Sequence, residues 1–270
     1  MAFFVVYKDG REFQLIFDVE MHSYKVDGEK VPSVTKVIDA CFPKHLTDWA
    51  VAEGADFFKA SLEPYRLAPT EESGTFMLPA KVVTHIYKGI QTAYKSIGRE
   101  AAEIGTIVHN WIESAIYFKM NVRDGLSGTA PKVPKGTEIG NCIKAFKMWS
   151  RERKPEWLTS EQKIYYHDPG GVHCYAGTVD ATAIVDDKLC VIDFKTSKKI
   201  YKPYHLQVAA YAHAISVQDN IDIPTAMILR FDKETGQFQE KLYDPKPHMQ
   251  MFFHCLDLKA WNTARIKHEG

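Results

Sequence analysis

The stretch that most constrains the fold is Tyr175–Ser197, YAGTVDATAIVDDKLCVIDFKTS. Two runs rich in Val, Ile, Ala and Phe flank Asp186 and Asp187, the pattern of a β-hairpin closed by a short polar turn. With those two residues as the loop, counting outward pairs Val185 with Lys188, Ile184 with Leu189, Thr182 with Val191 and Asp180 with Asp193. Side chains alternate across a strand, so the two carboxylates share a face, and Lys195, two residues beyond Asp193, joins them. Directly opposed residues have Cβ atoms about 4.5–5.5 Å apart, and like charges so placed destabilise a sheet. A divalent cation compensates, because hard cations such as Mg²⁺ take oxygen ligands and often combine one or two carboxylates with substrate phosphate oxygens. The alternative is a solvated salt-bridge cluster of Asp180, Asp193 and Lys195 at a sheet edge; the register-matched second aspartate favours the metal. Val179, Ala181, Ala183, Val185, Cys190, Ile192 and Phe194 predict an apolar opposite face. Ile184, Leu189 and Val191 make the distal part of the reactive face apolar as well, which places the hairpin centrally in its sheet.

A length of 270 residues suits one large domain or two small ones. Lys plus Arg equals Asp plus Glu, 34 each, so a surface for nucleic acid must be local rather than a property of the whole chain. No apolar run approaches the roughly 18 residues of a membrane span. The opening MAFFVVYKDG runs straight into a strand-like segment without a basic region or cleavage pattern, which predicts a cytoplasmic protein and no membrane partner. Five cysteines, Cys41, Cys142, Cys174, Cys190 and Cys255, are dispersed with no C-x-x-C pair; reduced thiols are expected, and neither zinc nor an iron-sulfur cluster.

Along the chain, residues 3–7, 12–17 and 22–26 predict a small antiparallel meander with turns at Lys8-Asp9-Gly10 and Asp27-Gly28. A helix follows Pro32-Ser33 with Ser33 or Thr35 near its cap and Val34, Val37 and Ile38 inward. Trp49, Phe57 and Phe58 continue a helical region, where packing is the better reading for each ring and a base-stacking platform the functional alternative. Residues 64–80 predict a loop. A helical stretch from Val82 leads into Glu103–Phe118, where Ile104, Val108, Trp111, Ile112, Ala115 and Ile116 keep helical spacing and His109 lies one turn after Gly105. Residues 121–137 read as a second long loop. The helix of about Ile139–Arg153 carries Lys144, Lys147 and the basic end RERK, either a solvated face or a phosphate-tracking one. Trp157–His167 reads as a strand with Glu161 near the same site. Pro203 opens a helix on which Gln207 and Tyr211, four apart, share a face. A strand over Ile223–Phe231 and a helix over about Pro247–Ile266, with Met251, Leu256, Leu258 and Trp261 inward, complete the chain. The N-terminal meander and helical region (1–100) and the core (101–270) are expected to form one compact unit.

The order is a helix with His109, strands with Glu161, Asp180 and Asp193-Lys195, a helix with Gln207 and Tyr211, then a strand. This αβββαβ order resembles the PD-(D/E)XK nuclease superfamily, an α/β restriction-endonuclease-like core with a mixed sheet flanked by helices. GTIVH, GTVD, DFK and QVAAY resemble its RecB-like exonuclease branch, written G-x-x-x-H, G-x-x-D, D-x-K and Q-x-x-x-Y. PSVTKVI and the hairpin resemble the mitochondrial genome maintenance exonucleases and their phage-encoded relatives. The resemblance covers roughly residues 20–230. It departs from the superfamily in having His109 for the usual helix glutamate and Val179 where the name-giving proline stands, both tolerated in the RecB branch.

The resemblance implies that His109, Asp180 and Asp193 bind Mg²⁺ or Mn²⁺, with the Phe194 carbonyl a further ligand and Glu161 accessory. It implies that Lys195 orients or deprotonates the attacking water and offsets charge on the phosphorane, and that Gln207 and Tyr211 position the strand or the lysine. Thr196, Ser197, Lys198, Lys199 and Lys202 are the expected DNA contacts. The expected function is a metal-dependent DNA exonuclease acting on free, single-stranded ends in a bacterial or phage-infected cell, with a helicase, recombinase or single-strand-binding protein as further partner. A structure-specific endonuclease and a non-catalytic DNA-binding module remain open. The residue types fit this chemistry: a metal acidifies water and acts as Lewis acid, and a lysine fixes positive charge where negative charge develops. One imidazole with two carboxylates suits Mn²⁺ as well as Mg²⁺.

Overall fold

The structure, a computed structural model, describes residues 2–21, 23–43, 47–65, 78–125 and 128–264. In chain order the elements are β1 (Ala2–Val6), β2 (Glu12–Asp18), β3 (Ser23–Val26), β4 (Glu29–Val31), α1 (Val34–Cys41), α2 (Thr47–Leu62) and α3 (Ala80–Arg123). There follow α4 (Thr137–Arg153), β5 (Glu156–His167), β6 (Cys174–Val185), β7 (Lys188–Lys195), α5 (Pro203–Asp219), β8 (Thr225–Phe231), β9 (Phe238–Tyr243) and α6 (Lys246–Thr263). Two compact units result, residues 1–43 with 106–270, and residues 44–105.

The larger unit holds two sheets. The first is the N-terminal antiparallel meander, ordered β1-β2-β3-β4. Its last strand goes beyond expectation: Asp27 (φ 48°) and Gly28 (φ 89°) are both left-handed, as a two-residue hairpin turn requires, and the chain folds back for three more residues. Ser33 Oγ accepts the Lys36 N–H at 3.2 Å and caps α1 as expected.

The second sheet is mixed and ordered β5-β6-β7-β8-β9. Neighbouring strands are antiparallel except β7 and β8, whose parallel pairing is made possible by the α5 crossover. The hairpin is central, as its two apolar faces predict. Asp186 (φ 49°) and Asp187 (φ 60°) make its two-residue turn, and the ladder runs from Val185–Lys188 to Ala181–Ile192 in the expected register. One face packs on α4 through the aromatic cluster Phe146, Trp149, Trp157, Phe194 and Phe231. The other is covered by α1, α5 and α6, with Val37, Ile164, Tyr175, Val191, Tyr211 and Phe252 in its core. The fold is therefore α/β, a five-stranded mixed sheet flanked by helices plus an N-terminal antiparallel sheet.

Two packing expectations are overturned. Val179 does not share a face with Phe194: it joins the core of Val191 and Tyr211, while Phe194 sits among the α4 aromatics. On the neighbouring strand, Glu161, opposite Asp180, takes a left-handed φ of 51°. On α6 the inward residues are Met249, Phe252, Cys255 and Leu256, at helical spacing, whereas Met251, Leu258 and Trp261 point outward. That seam is rotated from the one the apolar residues suggest. Residues 265–266 of that expected helix lie outside the described residues.

The smaller unit comprises α2, a short 3-10 turn (Glu63–Tyr65) and residues 80–105 of α3. Trp49 meets Tyr94 edge-on at 6.2 Å, and a Cβ on Gly89 would fall 2.0 Å from the Phe57 ring, so Trp49 and Phe57 are packing residues. Of the loop expected over 64–80, residues 66–77 lie outside the described residues. The second expected loop starts later than 121, because α3 runs on to Arg123, whose guanidinium donates to the Trp157 carbonyl at 2.8 Å. Among the described residues no helix is long and apolar enough to cross a membrane.

Candidate metal centre and active site

Three adjacent strands set three carboxylates side by side. The β5–β6 ladder pairs Ser160 with Ala181 and Gln162 with Val179, which leaves Glu161 and Asp180 facing each other between them. The β6–β7 ladder stops at Ala181–Ile192, and the next residues by count are Asp180 and Asp193. A left-handed glutamate inside a strand costs about 1–3 kcal/mol and persists only when its surroundings over-determine it. Here Ser160 Oγ donates to the Asp180 carbonyl at 3.2 Å, and the Tyr117 hydroxyl of α3 donates to the Ser160 carbonyl at 3.1 Å. Asp180 Oδ2 accepts the Phe194 N–H at 2.7 Å, a side-chain acceptor standing where a ladder carbonyl would.

His109 enters from α3, its Nδ1 3.7 Å from Asp180 Oδ1. One ligating atom each from His109, Glu161 and Asp180 lie within 4.8 Å of one another. Ligands on opposite sides of a hard divalent ion, with bonds of about 2.0–2.5 Å, lie about 4–5 Å apart, so the group matches one coordination sphere. Asp193 is outside that group. Its side chain is 1% exposed, and neither oxygen takes a well-aligned hydrogen bond; Oδ2 instead meets the Lys195 ammonium at 2.6 Å. An orphaned buried carboxylate oxygen beside a His/Glu/Asp group is the observation that fits a cation, which His109, Glu161 and Asp180 would hold with Asp193 adjacent.

The electrostatics follow from burial and crowding. Burial, then the Asp180 charge, pushes Glu161 up to about 7, with Lys163 opposing. Burial lifts Asp193 to about 6 against the pull of Lys195. For Asp180 burial works upward but is outweighed by His109, Lys195 and the Phe194 N–H, which hold its carboxyl below the usual range. Burial works to lower His109 and Lys195, and the neighbouring carboxylates overcome it and raise both.

The remaining expected residues are placed as follows. Gln207 Nε2 donates to the Tyr211 hydroxyl at 3.1 Å, so the pair on α5 forms a unit. Thr196 and Ser197 are half-buried in the loop after β7. Arg230 holds that loop by donating to the Ser197 carbonyl at 2.6 Å, and Lys198, Lys199 and Lys202 are exposed. The basic end of α4 is partly occupied within the protein, Lys147 over the Trp111 ring and Arg153 on Glu240 and Asp186.

Three contributors went unassigned in the sequence. Lys163 pairs with Glu161 at 3.7 Å as Lys195 pairs with Asp193, and its ammonium lies over the Phe3 and Phe17 rings of the first sheet. Two-residue spacing in E-x-K on a strand was its signal. Tyr24 and Thr178 share a hydrogen bond of 2.8 Å and tie the first sheet to β6 two residues before Asp180. Gly177 is the third: a Cβ there would lie 2.8 Å from the Tyr211 ring, and a glycine inside a strand is the mark of such an approach. Gly177→Ala is expected to push Tyr211 and Gln207 aside and to cost about 1–3 kcal/mol by overpacking. Urea denaturation checks it; unchanged stability would mean that the ring moves freely.

No family model matches the chain, and no curated protein matches it. Among solved structures it is similar to a protein from Eubacterium rectale provisionally named an exonuclease, 12% identical with a TM-score of 0.39, over 60% of this chain and 65% of that one. It is also similar to a protein called SSO0001, 16% identical with a TM-score of 0.34, over 78% of this chain and 87% of that one. The chain thus spans just under two thirds of the first of these proteins.

Proposed function

We propose that this chain is a metal-dependent phosphodiesterase of the RecB-like nuclease kind that hydrolyses DNA from free ends. The observation that supports it is the buried Asp193–Lys195 pair set beside the His109–Glu161–Asp180 group. A bound Mg²⁺ or Mn²⁺ supplies a Lewis acid and lowers the pKa of water. Lys195, held by Asp193 at 2.6 Å, keeps a fixed positive charge where negative charge grows on the phosphorus oxygens. Glu161, lifted to about 7 in the metal-free protein, would be held ionised by the cation as a ligand beside His109 and Asp180. Tyr211 and Gln207 act through packing, closing the floor behind Gly177. Exposed Lys198, Lys199 and Lys202 give a local positive surface on a chain of zero net charge.

The test uses end-labelled linear and covalently circular single-stranded DNA, each with Mg²⁺, Mn²⁺ or chelator. Loss of the linear strand alone, dependent on metal, is the expected result. Cutting of circles moves the assignment to an endonuclease, and binding without cleavage under either metal leaves a non-catalytic DNA-binding module.

A further inference from the structure

Tyr204 lies against the reactive lysine, and Tyr201 lies against Tyr204. The Lys195 ammonium, 2.6 Å from Asp193 Oδ2, sits 4.8 Å from the centre of the Tyr204 ring. The Tyr204 and Tyr201 rings are 5.6 Å apart at 81°, and the Lys199 ammonium lies 5.3 Å from the Tyr201 ring centre. The row Asp193, Lys195, Tyr204, Tyr201, Lys199 therefore leads from the buried carboxylate to the surface, two adjoining rings flanked by a cation at each end. Its geometry is held by the turn that starts α5, where the Tyr204 N–H donates to the Tyr201 carbonyl at 3.0 Å and the His205 N–H to the Lys202 carbonyl at 3.2 Å. Tyr204 rests with part of its surface on the main core, while Tyr201 is 40% exposed. A pair of touching rings, one exposed and each with an ammonium group over it, is poorly explained by packing alone.

We infer that Tyr204 and Tyr201 form a stacking platform for an unpaired nucleotide next to the phosphate that Lys195 faces, and that this platform selects single strands. The inference rests on the phosphodiesterase reading and deepens it by naming the residues that impose the preference for single strands. Lysines beside aromatic rings are the composition that tracks a single-stranded backbone while stacking its bases without regard to sequence. Inside a duplex each base has both faces covered by its neighbours and cannot lie on a protein ring. An end entering this site must therefore arrive unpaired or fray there.

The test measures binding apart from cleavage. The full chain, with Ca²⁺ in place of Mg²⁺, is titrated with a single strand carrying 2-aminopurine and with the duplex of the same sequence. The variants are Tyr204→Phe, Tyr204→Leu, Tyr204→Ala and Tyr201→Ala. Stacking is expected to quench the 2-aminopurine, and loss of a ring to weaken single-strand binding about 10- to 100-fold. Duplex binding stays unchanged, and Tyr204→Phe keeps the wild-type behaviour. With Mg²⁺, an abasic residue beside the scissile phosphate should raise KM for the wild type and leave the alanine variants unaffected. Equal losses for single strand and duplex, no loss, or Tyr204→Leu performing as well as Tyr204→Phe would each overturn the platform. Tyr201→Ala, at an exposed position, keeps the test decisive if a Tyr204 variant folds poorly. A protein that stacks single strands but cuts none retains the platform and loses the exonuclease; one that cuts ends with an unaltered KM in every variant retains the exonuclease and loses the platform.

Discussion

Lys195→Ala is expected to lower metal-dependent cleavage about 10²- to 10³-fold, the usual loss when one positioned stabiliser of developing charge is removed, and to destabilise the fold by about 3–5 kcal/mol. Both effects have one origin. Asp193 is 1% exposed and Lys195 17%, so removing the ammonium leaves, among the described residues, a carboxylate without a hydrogen-bond partner in the sheet interior. Deleting both charges is a different matter: Asp193→Leu with Lys195→Met replaces a buried ion pair by apolar groups, and such exchanges are commonly neutral or stabilising by about 1–4 kcal/mol. The double variant should thus be inactive yet at least as stable as the wild type in chelator. Denaturation midpoints of the three proteins, read beside their cleavage rates, separate the roles. If the double variant proves as unstable as Lys195→Ala, the pair holds the fold together and its functional reading loses its main support.

The hairpin was legible because its signals are local. Two apolar runs, a two-residue Asp-Asp turn and a period of two fix the register, and the structure keeps it from Val185–Lys188 to Ala181–Ile192. His109, 52 residues before Glu161 by number, reaches Asp180 only through packing of α3 on β5, and no periodicity reports that. What failed has physical reasons too. The conformation of Glu161 could not be read because left-handed backbone is advertised by glycine or asparagine, and glutamate advertises nothing. Glu161 joins His109 and Asp180 in one group, with Asp193 beside it on the next strand. β9 was missed because its side chains are all half-buried or exposed, with none of the buried positions that mark a core strand. The α6 seam was misplaced because apolar residues lie on both sides of that helix, and only the neighbours it packs against decide which side turns inward.

Burial of these carboxyls, with their mutual repulsion, makes the metal-free protein lose stability as pH rises. A carboxyl whose folded pKa exceeds its unfolded value keeps, when folded, a proton that the unfolded chain has released, so stability falls between the two values. Glu161 moves from 4.5 to about 7, and Asp193 from 3.8 to about 6. His109, raised above 6.5, acts in the same direction: its contribution is complete below 6.5 and is lost as pH passes its folded value. Asp180 has the opposite sign, but its depressed pKa acts below pH 3.8, and Lys195 acts above pH 10.5. Between pH 5 and pH 8 the chelated protein should therefore lose stability on the order of 4 kcal/mol, taking about 1.4 kcal/mol per pKa unit. Glu161→Gln, with nothing to titrate, should remove more than half of that slope. Added Mn²⁺ or Mg²⁺ should stabilise far more at pH 8 than at pH 5, since the cation takes the place of the departed protons. Urea denaturation at pH 5, 6.5 and 8, with chelator and with each metal, reads all of this. A flat profile in chelator would mean that Glu161 and Asp193 ionise as ordinary carboxyls, and the case for a cation beside them would then fail on its own electrostatics.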